Sequence, residues 1–425
     1  MTPPPTRTPP GAKRAPRIYR GWSVVAAAMT IQTLVMGATF STYGLFVLPV
    51  AAEFHLSRAD ANTGLAILNV GAAVLSPFLG PLLDRVSARR VMLVSCVLFM
   101  AGFAVIARSH SLWLNVAVLA LVLPFATKGA GTLTAPLLVV RWFTVQRGRA
   151  VALSQLGLSL GGFVVAPAVG ALIQGYGWRN ALMVMGVGAG ALMFAIALVI
   201  RERPGPDDHE SGSAPPAGVA EVAAAPRLMS VGQILQAPAF WTISLSCGLA
   251  AAVSGALLVT IAPLGREQGL SMMQAASLIS IMSACGIGAK LLLAVVADRI
   301  DRVVLLTILF AAGALLNAGL MFSQTYGQLL AAAAGLGLIN AAMIPVQYAL
   351  FADRFGPASF GTVTGLRIPL SALLGVVGLR YAGEVFDRTG GYEVMFVTFI
   401  VVQLVAAATI FATRLAPRTA TLATA

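Results

Sequence analysis

The stretch GIGAKLLLAVVADRIDR, from Gly286 to Arg302, sets one cation inside an apolar helix and closes that helix with alternating acids and arginines. A charge at membrane depth with no nearby carboxylate is costly, and Lys290 therefore marks a functional position. The closing turn, Asp298-Arg299-Ile300-Asp301-Arg302, has a counterpart far upstream in Gly80-Pro-Leu-Leu-Asp84-Arg85-Val-Ser-Ala-Arg89-Arg90. Each follows the second apolar segment of a set of six, and a polar stretch from Arg201 to about Ala237 separates the sets. Two like-placed charged turns around a central linker predict a parallel repeat. The expected fold is an all-α membrane protein of about twelve transmembrane helices in two pseudo-symmetric six-helix bundles.

Composition requires the membrane before any motif is considered. The chain of 425 residues is 58% hydrophobic and 10% charged, with a mean hydropathy of +0.87. A soluble domain carries nearer a quarter charged residues. At about 20 residues per crossing, the length holds the twelve helices and no sizeable soluble domain. The units expected are a disordered cytoplasmic tail at 1–17, proline-rich and unable to pack a core; an N-terminal bundle at 18–200; a cytoplasmic linker at 201–237; a C-terminal bundle at 238–413; and a cytoplasmic tail at 414–425.

The net charge of +13 lies in short alternating loops rather than on one stripe. This is the pattern of membrane topology and not of nucleic-acid binding. Arg85, Arg89, Arg90, Arg141, Arg147, Arg149, Arg299, Arg302 and Arg354 fall in inner loops. The outer loops hold only Arg58, Arg108, Arg179, Arg266 and Arg388. Both termini are expected in the cytoplasm, in a multi-pass protein of the cytoplasmic (inner) membrane. Cys96, Cys247 and Cys285 each stand alone in apolar segments, which gives no disulfide or metal spacing. Gly186-Val-Gly188 lies inside an apolar helix with no strand before it, so it does not cradle a nucleotide. Neither enzyme chemistry nor a cofactor is expected.

The paired turns resemble the signature of the major facilitator superfamily, approximately G-x-x-x-D-R-x-G-R-R between its second and third helices, with a weaker echo between the eighth and ninth. Gly80, Asp84, Arg85, Arg89 and Arg90 match the first copy, while Ser87 and Ala88 depart from it. Asp298, Arg299 and Arg302 match the second, with Ala294 and Asp301 in place of glycines. The resemblance implies gating by Asp84, Arg85, Arg89, Asp298 and Arg299: a carboxylate pairs with an arginine, or faces a helix N-terminus, while the inside is closed. Tyr19-Arg-Gly-Trp22, Tyr43-Gly-Leu-Phe-Val-Leu-Pro49, Arg141-Trp-Phe with Arg147-Gly-Arg-Ala150, and Gly175-Tyr-Gly-Trp-Arg179 look like the monocarboxylate porter and oxalate–formate antiporter group. That group implies a secondary transporter of a small organic anion.

The residues themselves point to the same cargo. Acids and histidines fall in tails, loops and helix ends, whereas Lys128, Lys290 and Arg367 lie within apolar helices. Cations without carboxylates attract an anion, so these three are the expected substrate ligands, with Tyr43 and Asn340 as polar companions. Asn69, Thr132, Gln155, Gln347 and Phe40 are further polar or aromatic candidates, each weighed against plain helix packing. For Arg367 the competing readings are snorkelling or a pair with Asp353, and Arg380 is assigned to Glu384 one turn on. Lys290 stands where the porters it resembles carry a substrate-binding arginine. Gly286 stands where the animal-type porters carry an aspartate, and this removes the simplest proton relay; protons and a counter-anion both stay open as partners beside the lipid bilayer. A monomer is expected. The alternative functions are export of drugs or other amphipathic compounds, import of a larger anionic metabolite or vitamin, and a non-transporting receptor or scaffold.

Overall fold

The structure, a computed structural model, describes residues 19–56, 58–205, 208, 210 and 228–414. The tail at 1–17, most of the linker and nearly all of the tail from 414 lie outside the described residues. Among the described residues every regular element is helical. Eleven helices are long and apolar enough to cross a bilayer. One of these, Arg147–Val199, has 53 residues, about 80 Å at 1.5 Å per residue and too long for one crossing. It breaks at Gly177, where φ is +77°, a value that residues with a Cβ rarely adopt. Sequence spacing puts the same break in the Gly175–Asn180 turn.

Twelve crossings result: α1 (21–53), α2 (Arg58–Arg85), α3 (Ala88–Arg108), α4 (Leu112–Trp142), α5 (147–176), α6 (178–199), α7 (Pro238–Glu267), α8 (Met272–Val296), α9 (Arg302–Met321), α10 (Tyr326–Phe355), α11 (Phe360–Thr389) and α12 (Glu393–Ala412). A short helix, Val231–Gln236, precedes α7. In lipid the backbone must satisfy its own polar groups, which only a helix does within one segment. The ends are closed by side chains: Ser271 with Gln274, and Thr325 with Gln328, form capping boxes on α8 and α10, and Asp301 accepts the N–H groups of Val303 and Val304 at the start of α9. Phe78, Phe163, Leu315 and Phe322 stay exposed on the helix surfaces, as lipid-facing residues do.

The two halves share one buried core at the end carrying the charged turns, hereafter the linker side. That cluster joins Leu83, Phe143 and Ala150 of the first half to Ala297, Phe351, Phe360 and Val363 of the second. Toward the opposite, far side, α7, α8, α10, α11 and α12 keep a separate core around Leu257, Leu278, Leu336 and Met395. The halves therefore meet where the charged turns lie and part company at the other end. The crossing contacts run α2 to α11, and α5 to α8 and α10.

Among the described residues four π-helical turns interrupt the spans: Gly37–Ser41 in α1, Val118–Val122 and Lys128–Thr132 in α4, and Gly161–Val165 in α5. All belong to the first half. Such insertions cost hydrogen-bond quality and collect at functional sites.

Candidate functional site

Lys128 opens the second π turn of α4, and its carbonyl accepts the N–H of Leu133, five residues on, at 3.1 Å. Its ammonium and the guanidinium of Arg367 on α11 lie close enough to repel each other. Arg367 Nη1 reaches Gln347 Oε1 at 3.3 Å and Ser371 Oγ at 3.4 Å. Its guanidinium carbon stands 5.7 Å from the Phe351 ring centroid and 6.0 Å from that of Tyr348, a π-faced setting that offsets part of the charge. Its Nε is buried without a partner.

Lys290 is 5% exposed and reaches out of its own half. Its Nζ donates to the Gln155 carbonyl at 3.1 Å and to Ser159 Oγ at 2.9 Å, both on α5. The Oε1 of Gln155 is itself buried without a partner. Among the described residues no ion pair involves Lys128, Lys290 or Arg367. Desolvating an unpaired ion costs several kcal/mol, of order, in a protein interior, so each of these sites gains from an anion that supplies the missing charge.

The structure thus sets Lys128 within electrostatic reach of Arg367 and Lys290 against α5. Asp353, weighed at sequence level as a partner of Arg367, instead pairs with Arg147 at 2.6 Å and with Arg302. Glu384, assigned above to Arg380, pairs with Arg388. Tyr43 lines a cavity on the far side of the first half, and Asn340 Oδ1 accepts the Ser254 hydroxyl at 2.7 Å, tying α10 to α7. Gly286 packs on α10: a Cβ there would stand 3.1 Å from Ala341 Cβ, so the position has little room for a carboxylate.

At the linker side, two carboxylates cross between the halves in like fashion. Asp84, its side chain fully buried, accepts the N–H groups of Gly361 at 3.0 Å and Thr362 at 2.5 Å, at the start of α11. Asp298 accepts the N–H groups of Gly148 at 2.6 Å and Arg149 at 3.0 Å, at the start of α5. Each satisfies orphan donors of a helix N-terminus and meets its positive dipole end. Glycine is needed at both receiving positions, since a Cβ would lie 2.7 Å from Asp84 Oδ1 at Gly361 and 2.6 Å from Asp298 Oδ1 at Gly148. Arg141 flanks Asp84 at 3.8 Å, and Arg302 flanks Asp298 at 3.6 Å.

The other three expected gate residues do not cross. Arg85 and Arg299 are exposed. Arg89 stays within its own half, donating from Nε to the Ala197 carbonyl at 3.0 Å and from Nη2 to that of Leu198, while its backbone N–H meets Glu202. Sequence reasoning did not single out Arg147, Arg302 and Asp353 as one network, or Ser159 as the resting partner of Lys290. Arg147-Gly-Arg149 was visible only as a motif, and nothing local assigns its partners. The linker contributes too. The Glu210 carboxylate accepts from Thr144 N at 2.7 Å, Thr144 Oγ1 at 2.9 Å, Val145 N at 3.0 Å and Gln146 N at 2.6 Å, on the loop before α5.

A family model, the Major Facilitator Superfamily, matches residues 29–379. The chain belongs to that superfamily. It is accordingly a multi-pass secondary transporter, and its relatives are transporters rather than enzymes. Among its relatives, human Monocarboxylate transporter 11 is 29% identical over 418 residues, spanning 93% of this chain and 82% of that protein. The Oxalate:formate antiporter of Oxalobacter formigenes is 24% identical over 302 residues, 70% of this chain and 68% of its own length. Among solved folds, the human organic anion transporter MFSD10 superposes with a TM-score of 0.68 at 17% identity, covering 92% of this chain and 99% of that one. The E. coli fucose:proton symporter FucP gives 0.70 at 14% identity, over 92% and 97%. At these identities the structural likeness speaks for the superfamily fold.

Proposed function

We propose that this superfamily member moves a small, monocarboxylate-like organic anion across the cytoplasmic membrane by alternating access. The observation that carries the reading is the set of three cations within the spans, Lys290 buried and Lys128 and Arg367 half-buried, without an ion-pair partner among the described residues. Lys290 gives the reading a mechanism. Its ammonium rests on Gln155 and Ser159 of the opposite half. An arriving carboxylate is a stronger acceptor than a neutral carbonyl or hydroxyl, so it draws Lys290 from α5 and alters one of the contacts that hold the halves together. Names carried by the relatives, among them monocarboxylate and oxalate:formate transport, support the substrate class.

In this reading the linker side is cytoplasmic, with both termini and the 201–237 linker there and the bundles at 18–200 and 238–413 rocking about the site. Asp84 and Asp298 are the inner gate, bonded across the halves in a state closed to the cytoplasm. The test is uptake into liposomes holding the purified protein, with radiolabelled mono- and dicarboxylates supplied with and without a pH gradient. Saturable uptake of at least one anion, lost when Lys290 and Lys128 are neutralised, is expected. No uptake of any anion, or uptake indifferent to both lysines, would overturn the reading.

A further inference from the structure

Where α3 begins and α6 ends, on the linker side, a hollow of about 560 Å³ is lined by Arg89, Arg90, Arg201 and Arg203, with Glu202 as its one acid. That acid is already engaged: its carboxylate accepts from the Ser87 hydroxyl and, at 2.9 Å, from the Arg89 N–H. Arg89 is engaged as well, donating to the Ala197 and Leu198 carbonyls that close α6. Arg90, Arg201 and Arg203 are exposed, and among the described residues none of them has an ion-pair partner. A second hollow, of about 650 Å³, meets the first at Ile200 and Arg201, which line both. It is a largely apolar trough lined by Val24 and Ala27 of α1 and by Ala195, Ile196 and Val199 of α6, with Arg20 and Arg201 at its linker-side end.

We infer that this pair of hollows binds one anionic phospholipid, its phosphate among Arg90, Arg201 and Arg203 and an acyl chain along the trough between α1 and α6. Guanidinium groups match phosphate oxygens with a planar fork of donors, and surplus arginine at the end of a transmembrane bundle attracts anionic headgroups. The trough adds apolar surface that a soluble phosphate cannot use. The surroundings face lipid: Val94 and Val97 on α3 are exposed, as are Leu198 and Val199 on α6, Val199 by 83%. The backbone between the hollows is held in place, since the Trp142 indole N–H donates to the Arg201 carbonyl at 2.9 Å. Glu202 links the seat to the gate, for its second oxygen stands 3.9 Å from Arg141, the arginine that flanks Asp84. Lipid binding here requires only that the chain span a bilayer, and is independent of which solute it moves.

The experiment titrates the delipidated full-length protein with dioleoyl phosphatidylglycerol or dioleoyl phosphatidylcholine and counts bound lipid by native mass spectrometry. Both lipids carry a phosphate, but in the second a choline cation cancels its charge. One saturable site is expected, preferring phosphatidylglycerol by about tenfold or more. Arg90→Gln combined with Arg203→Gln should weaken that site roughly 25-fold, about fivefold for each arginine. Arg299→Gln combined with Arg414→Gln removes as much charge from the linker side of the second half and should leave the site unchanged. The soluble headgroup analogue sn-glycerol 3-phosphate should not displace the lipid. Equal affinity for the two lipids, or equal loss in the two double variants, would reduce the effect to bulk charge and overturn the proposal. Displacement by glycerol phosphate at concentrations comparable to the lipid would make this a site for soluble phosphates and overturn it as well.

Discussion

The Lys290 ammonium of α8 donates to Ser159 Oγ of α5 at 2.9 Å, so the cation proposed to receive the substrate is already a bond between the two halves. Removing its charge therefore affects both binding and the interface. Lys290→Gln is expected to cost about 2 kcal/mol or more of anion affinity, roughly thirtyfold. Lys290→Arg keeps the charge, adds a planar fork for a carboxylate and should retain uptake. Ser159→Ala removes a competitor of the anion worth about 1 kcal/mol and should tighten binding by up to about fivefold. Radiolabelled anion binding to the three variants checks all of this; equal affinity throughout would remove Lys290 from the site.

The two carboxylate caps make a second expectation. Each holds helix N–H donors through charge-assisted bonds, worth up to about 2 kcal/mol at the buried Asp84 and about 0.3–1 kcal/mol at the more exposed Asp298. Asp84→Asn or Asp298→Asn should open the linker side part of the time, and the double variant most of the time. Spin labels on cysteines placed at the exposed Arg85 and Arg299 positions read the separation of the halves. A new, longer distance should appear in the single variants and dominate in the double. An unchanged distance distribution would show that the gate rests elsewhere.

Glu210 gives a pH dependence with a definite sign. Burial pushes its carboxyl up, but the N–H groups of Val145, Gln146 and Thr144 and the Thr144 hydroxyl outweigh it, holding the group below the ordinary carboxylate value. A lowered folded value means that the stabilisation is present above the unfolded pKa and is lost as pH falls through the folded one. Thermal unfolding in detergent, followed downward through the carboxylate range, should show a loss of stability that Glu210→Gln reduces. Glu53 behaves alike on the far side, held below its ordinary value chiefly by the Arg179 hydrogen bond, so Glu53→Gln should remove a separate part of the same slope.

Glycines in α5 differ in what surrounds them. At Gly157 a Cβ would lie 2.2 Å from the Met29 carbonyl of α1, and backbone cannot swing aside; at Gly170 nothing stands within 4 Å. Gly157→Ala is expected to cost about 1–3 kcal/mol through overpacking. Gly170→Ala should be neutral or gain up to about 1 kcal/mol by restricting the unfolded chain. The difference between their thermal midpoints is the measurement, and equal midpoints would contradict the close crossing of α1 and α5.

Much of the architecture was legible in the residues. The apolar segments, the Gly175–Asn180 break and the paired turns at Asp84 and Asp298 all appear at the expected places. The site was legible only in outline. Lys128 and Arg367 were visible as cations in apolar helices, but their proximity was not. Tyr43 and Asn340 looked like companions of the cations because they are polar and centrally placed, yet one lines a cavity inside the first half and the other ties α10 to α7. Glu210 sat in a stretch read as linker alone, since a carboxylate four bonds deep in a loop leaves no periodic mark.

What the sequence by itself determined is membrane residence, the repeat and the segment on which each charge lies, because hydropathy and charge are properties of a segment and need no partner. What only the tertiary structure decided is whom each charge meets: Asp84 the start of α11, Asp298 the start of α5, Lys290 the far half, Asp353 the pair Arg147 and Arg302. The reason is rotational. Successive helix residues turn by about 100°, and a span that is apolar nearly all round gives little hint of which face turns inward, so the facing of each charged side chain is set by packing between helices that are distant in sequence.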